Sequence, residues 1–122
     1  MIKQKSGRII NMASAVGKQA QPLMTGYATS KAGLISMTVS LAKEVAEHGI
    51  NVNAIAPGYM DTPMNAGLFS DATRAPQILA RIPAGRWGNP AELQGVAIFL
   101  ASDASNYVHG AVIPVDGGFL AR

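Results

Sequence analysis

The sequence predicts an α/β domain built on a parallel sheet. Three observations predict it: a continuous β-branched and apolar run at 8–12, a second at 50–57, and about twenty residues of helical pattern between them. A second helical segment followed by a third short strand, 111–115, completes the pattern. Strand, helix, strand, lid and helix, strand is the grammar of parallel strands joined by right-handed crossovers.

The first strand lies in "GRIINMAS", where the apolar run stops at small polar residues and leaves Ser14 just past its carboxyl end. A looser stretch rich in Gly, Gln and Pro leads to Gly26. The helix then runs from about 27 to 48, where Gly49 suits the C-terminal cap and His48 lies near the negative end of the dipole. Its apolar residues fall into two stripes, Leu34, Met37, Leu41 and Val45 on one and Ile35, Val39, Ala42 and Ala46 on the other. Such a helix is expected to be buried on more than one side, with the sheet covering one stripe and the same helix of a second copy covering the other.

"INVNAIAP" is the second strand, stopped by Pro57 and Gly58. Between there and Pro90 the chain is punctuated by Pro63, Pro76 and Pro83, with one helix expected around 71–81. An excursion of this length in a small domain reads as a functional loop or lid. "NPAELQGVAIFLAS" places Asn89 at an N-cap, Pro90 at the first helical position and Glu92 at the third, a strong helix start. "AVIPVDGG" is the last strand and its glycine turn.

The totals bound the function. At 122 residues and 48% apolar content, one modest domain is expected. Lys3, Lys5 and Arg8 account for the net charge of +3, because the other seven of the ten cations balance the seven acids. A basic leader of that kind argues against nucleic-acid binding. With no cysteine, disulfides, zinc thiolate sites and thiol nucleophiles are excluded. The longest wholly apolar run, 96–101, is too short to span a membrane, and the leader lacks the apolar core of a signal peptide. The expectation is a soluble cytoplasmic protein with no membrane partner. His48 reads as a cap and His109 as a surface or turn residue, so no metal site is expected.

In a parallel α/β sheet, ligands meet the carboxyl ends of the strands. Ser14 lies at one such end, 57–62 at the next and 116–118 at the third. "GYATSKAGL" starts the long helix on that same side and sets Tyr27 one turn before Lys31, so both share a helix face. An ammonium about 4 Å from a phenol contributes roughly 4 kcal/mol at an effective dielectric near 20, which favours ionisation of a group whose reference pKa is about 10. Three separately placed signals therefore converge on one site. Arg74, Arg81 and Arg86 lie in or near the lid and suit a planar carboxylate, although at least two of them are expected to be solvent-exposed or structural. Asp116 is read as a turn acceptor.

Ser14, Tyr27 and Lys31 at this spacing, between "GRIINMAS" and "INVNAIAPGYMDT", together with "RIPAGRWGNPAEL", "VAIFLASDAS" and "VDGG", resemble the catalytic half of the short-chain dehydrogenase/reductase family. The resemblance covers essentially all of 7–122, and "IPAGRWGNP" with "VDGGFLAR" is most similar to its sugar-acid dehydrogenases. It implies the C-terminal half of a Rossmann-type doubly wound sheet, with three strands present, using NAD or NADP and belonging to a homo-oligomer. It implies Tyr27 as the proton carrier, Lys31 as the partner of tyrosine and nicotinamide ribose, and Ser14 as the holder of the substrate oxygen. It further implies that Pro57 and Gly58 turn over the nicotinamide, with Met60 near its carboxamide and Thr62 hydrogen-bonded to it.

The family's amino half opens with a glycine-rich phosphate loop. No two glycines here are separated by a single residue, and the family's Asn-Asn-Ala-Gly segment is also missing; Asn11 and Asn53 do not occupy that context. The expectation is therefore a partial domain, 1–122, lacking the cofactor-binding half, with its first strand left as an open edge. Two functions compete: the catalytic half of a sugar-acid dehydrogenase, and a non-catalytic oligomerisation module or inactive remnant of that family.

Overall fold

In the computed structural model, which describes residues 1–121, three parallel strands run in the order β1–β2–β3, with β1 at Gly7–Met12, β2 at Ile50–Pro57 and β3 at Val112–Val115. Gly7 pairs with Ile50 at one end of the first ladder, and Pro57 with Val115 at the far end of the second. Every residue of β2 except Pro57 is buried, as a strand covered on both faces requires. Its two asparagines are buried with it and are paired, as buried amides must be. Asn53 donates to the Val108 carbonyl at 2.8 Å and accepts from the Ala111 amide at 2.9 Å, while Asn51 donates to the Val108 carbonyl at 3.0 Å. They clamp the chain entering β3 and so hold its register. On the other side β1 has β2 as its sole neighbour among the described residues and forms the expected open edge.

Helix α1, Thr25–Val45, continues as a 3-10 turn, Ala46–His48, and is closed by Gly49 at φ 70°. A side chain at Gly49 would be both strained and driven into the Lys5 carbonyl, so glycine is required there. The two expected stripes do not act separately. Ile35, Leu41, Ala42 and Val45, drawn from both, pack on the sheet together, and Thr38 sits fully buried between them. Thr38 donates to the Leu34 carbonyl at 2.7 Å and accepts from Asn11 Nδ2 at 2.9 Å. A satisfied threonine at the centre of the packed face splits the apolar pattern in two, which is why one face reads as two. The opposite side, including Ala32, Gly33, Ser36 and Met37, is exposed in this chain.

The excursion after β2 contains two short helices instead of one, α2 at Ala66–Phe69 and α3 at Arg74–Leu79. The Asp71 carboxylate takes the amides of Thr73 and Arg74, each at 2.9 Å, and so caps the turn that leads into α3. Tight bonds from Arg81 to Ile78 and from Ile82 to Leu79 end it early. The excursion closes on itself through a parallel bridge between Met60 and Gly88.

The Asn89 cap forms as the sequence predicts, with a full capping box to Glu92. Pro90–Leu93 is a 3-10 turn, and α4 proper is Gln94–Ala101. Glu92 also receives a two-pronged bond from Arg86, at 2.6 and 2.9 Å. That bond, seconded by the Asn89 amide, lowers the Glu92 carboxyl from its ordinary 4.5 to about 2. Because the folded value is depressed, the tie is fully present above the ordinary carboxylate pKa and is lost as pH falls toward 2. NMR titration of the Glu92 carboxyl carbon should give a midpoint near 2, whereas a midpoint near 4.5 would mean the tie is absent in solution. No helix among the described residues is long and apolar enough to cross a membrane.

Candidate active site

Chain direction brings the sequence-predicted residues to one end of the sheet. Ser14 follows the carboxyl end of β1 and caps the short turn Ala15–Gly17, its Oγ accepting from the Val16 amide at 3.2 Å. Tyr27 stands in the first turn of α1. Two glycines permit the close approaches that assemble these parts. A Cβ on Gly17 would lie 2.8 Å from the Lys31 backbone, so glycine lets the Ser14 turn rest on α1. One on Gly58 would lie 2.7 Å from the Asp116 Cα, where the turns after β2 and β3 cross.

Ser14, Tyr27, Pro57 and Gly58 line a single pocket of about 440 Å³. Ser14 is buried, whereas Tyr27 is 40% exposed and its ring is reachable from the pocket. Lys31 does not line the cavity. Its Nζ lies 5.7 Å from the Tyr27 ring centroid and donates to the Met12 carbonyl at 2.8 Å. The ammonium is therefore held between the tyrosine and the last residue of the open-edge strand.

Two predicted residues stand outside this group. Met60 is buried and lines a second, smaller pocket with Ala84, Gly88 and Asp116; its sulfur packs on Gly88. Thr62 is half-buried at the N-cap of the turn Pro63–Asn65 and makes no side-chain capping bond. Of the three arginines, Arg81 donates to Gln21 Oε1 at 2.6 Å and lies 4.6 Å from the Phe119 ring, and Arg86 is held by Glu92. Both are structural, while Arg74 is exposed. Asp116 is a turn acceptor, bonded to the amides of Gly118 at 2.9 Å and Leu120 at 3.0 Å.

The pocket also has walls that sequence reasoning did not single out. Tyr59 and Asn65 supply polar groups, and Leu23 and Met64 form a rim on which they are 97% and 86% exposed. Tyr59 packs edge-on against Trp87 at 6.0 Å and Phe119 at 5.4 Å. Burial raises its phenol pKa, opposed in part by the cations Arg81 and Arg74. One signal was present: Tyr59 follows directly on the Pro57–Gly58 turn, so any site at that turn includes it. Leu23 and Met64 had none, since loop residues acquire neighbours only on folding.

A family model described as enoyl-(acyl carrier protein) reductase matches residues 1–120. The chain is 54% identical over 122 residues to the 2-dehydro-3-deoxy-D-gluconate 5-dehydrogenase of Dickeya dadantii, covering 99% of the chain and 48% of that protein. It is 51% identical over 120 residues to the 3-oxoacyl-[acyl-carrier-protein] reductase FabG of Thermotoga maritima, covering 98% and 48%. The fold superposes with a TM-score of 0.96, at 48% identity, on an Agrobacterium tumefaciens protein assigned as a 2-deoxy-D-gluconate 3-dehydrogenase with bound NADP, covering 99% of the chain and 50% of that one. The chain thus spans about half the length of the curated relatives it matches. On its parallel α/β fold, its family match and its likeness to these relatives, the chain belongs to the short-chain dehydrogenase/reductase family.

Proposed function

We propose that this chain is the catalytic half of an NAD(P)-dependent oxidoreductase acting on a hydroxyl or ketone of a sugar acid. The relatives named 2-deoxy-D-gluconate 3-dehydrogenase and 2-dehydro-3-deoxy-D-gluconate 5-dehydrogenase are the nearest description of that reaction. One observation carries the reading: Ser14, Tyr27 and the Pro57–Gly58 turn enclose one pocket, with the Lys31 ammonium beside the Tyr27 ring.

A nicotinamide end fits the residues present. Gly58 itself adds no side chain to the pocket, Lys31 has donors to spare beside Tyr27, and Thr62, outside the pocket, has a hydroxyl free of any capping duty. The phosphate loop has no counterpart in the sequence. When bound, the cofactor would supply or accept the hydride. The Tyr27 phenol moves the proton at the substrate oxygen. The Ser14 hydroxyl accepts from the Val16 amide, which leaves its own hydrogen free to donate to that oxygen. Lys31 spends one of its three donors on Met12 and keeps two for the tyrosine oxygen and the cofactor ribose.

Cytoplasmic location and a homo-oligomer belong to the same proposal; the exposed side of α1, where Met37 is 48% exposed, supports self-association. That same exposed side of α1 favours the competing reading of a non-catalytic assembly module. An assay separates them: NADPH oxidation with a keto sugar acid, by the chain alone and by the chain supplied with the amino half of the Dickeya relative. Turnover is expected with the complement, and Lys31→Ala should reduce both turnover and NADPH affinity. Turnover with 3-oxoacyl substrates alone would overturn the sugar-acid class, and none with either would leave the assembly module.

A further inference from the structure

We propose that Tyr59 and Asn65 form a hydroxyl-reading pair that makes this pocket select a polyhydroxylated acid over an acyl chain of equal length. The inference rests on the pocket being the substrate site. Four of its lining side chains are polar: Ser14, from the turn after β1, and Tyr27, from α1, together with Tyr59 and Asn65, which come from the segment after β2. The first two suffice for proton transfer at one oxygen. The second two have no part in that step.

Their orientation is set by the fold. Asn65 Nδ2 donates to the Met60 carbonyl at 2.8 Å, and since a carbonyl only accepts, the amide cannot be turned the other way. Its Oδ1 is left as an acceptor without a partner among the described residues. The Tyr59 hydroxyl likewise has none there, while its ring is fixed edge-on between Trp87 and Phe119. Tyr59, which also borders the second pocket, and Asn65 both line this one, and a donor and an acceptor of this kind match a ligand hydroxyl that accepts from Tyr59 and donates to Asn65. An acyl chain would cover both and satisfy neither, and a site that leaves its own polar groups unpaired rejects the poorer ligand strongly. Ala15, Val16, Met24 and Pro57, which line the same pocket, are apolar and offer no competing side-chain partner.

The test uses D-gluconate and 3-hydroxyhexanoate, two carboxylates of equal carbon count that differ in their hydroxyls. Binding is followed by fluorescence of Trp87, the only tryptophan, on the chain with its complement and NADP present. The wild-type protein should bind gluconate about tenfold more tightly than 3-hydroxyhexanoate. Tyr59→Phe, which keeps the ring packing, should bring the two affinities together by weakening gluconate alone, and Asn65→Ala should act in the same direction. Equal wild-type affinities, no saturable response to gluconate, or full preference in Tyr59→Phe would overturn the pair. Tyr27→Phe should keep the preference while losing turnover, so this inference and the oxidoreductase reading fail by separate measurements.

Discussion

Tyr27→Phe should lower kcat by about 10²–10⁴-fold in the complemented enzyme, the range expected on deleting a positioned general acid/base. The substitution removes only a hydroxyl. That hydroxyl has no hydrogen-bond partner among the described residues and the side chain is 40% exposed, so no buried group is left unsatisfied. Stability should stay within about 0.5 kcal/mol of the parent, as for other substitutions away from packed or buried polar sites. KM for the sugar acid should change little, because the lost interaction belongs to proton transfer and not to ground-state binding. A turnover within threefold of the parent would remove Tyr27 from the reaction. The Lys31 ammonium would then be a simple brace between α1 and the edge of β1.

Phe119→Ala should cost about 3–5 kcal/mol in chemical denaturation, the cost of truncating a buried phenylalanine. Phe119 is 1% exposed and packs with Ala15 beside Ser14 and with Ile82 after α3. It also meets the Tyr59 ring at 5.4 Å and the Arg81 guanidinium at 4.6 Å. One ring thus joins the turns after β1, β2 and β3 to the lid. Against a net stability of about 5–15 kcal/mol for a domain, that loss is a large fraction of the whole, and the variant should melt well below the parent. Phe119→Leu, which keeps most of the volume, should lose much less. A cost below about 1 kcal/mol for the alanine variant would mean that the cluster around Phe119 does not hold the site together.

Most of the architecture was legible because each element carries a local reason for its state. Gly49 ends α1, Asn89, Pro90 and Glu92 start the next helical segment, and alternation or continuous apolar runs mark the strands. The errors fall where tertiary bonds override pattern. The two apolar stripes expected on α1 proved to share one packed face around Thr38, which no sequence signal had singled out and whose hydroxyl is satisfied by Leu34 and Asn11. The lid helix was expected over 71–81 and spans Arg74–Leu79, capped by the Asp71 carboxylate at one end and closed by tight turns at the other.

At the site the same division holds. Residue type and spacing alone place Ser14, Tyr27 and the Pro57–Gly58 turn at the carboxyl ends of parallel strands, because strand direction and helical period are local properties that topology merely transmits. Which other side chains complete the pocket is another matter. Tyr59 and Asn65 enter it, Met60 turns away to a second cavity, and Arg81 and Arg86 are bound by Gln21 and Glu92. Those outcomes depend on contacts between segments up to sixty residues apart, such as Arg81 with Gln21, and on packing around Phe119. No short-range pattern encodes a contact of that range, so it was decided only when the turns after all three strands were brought together.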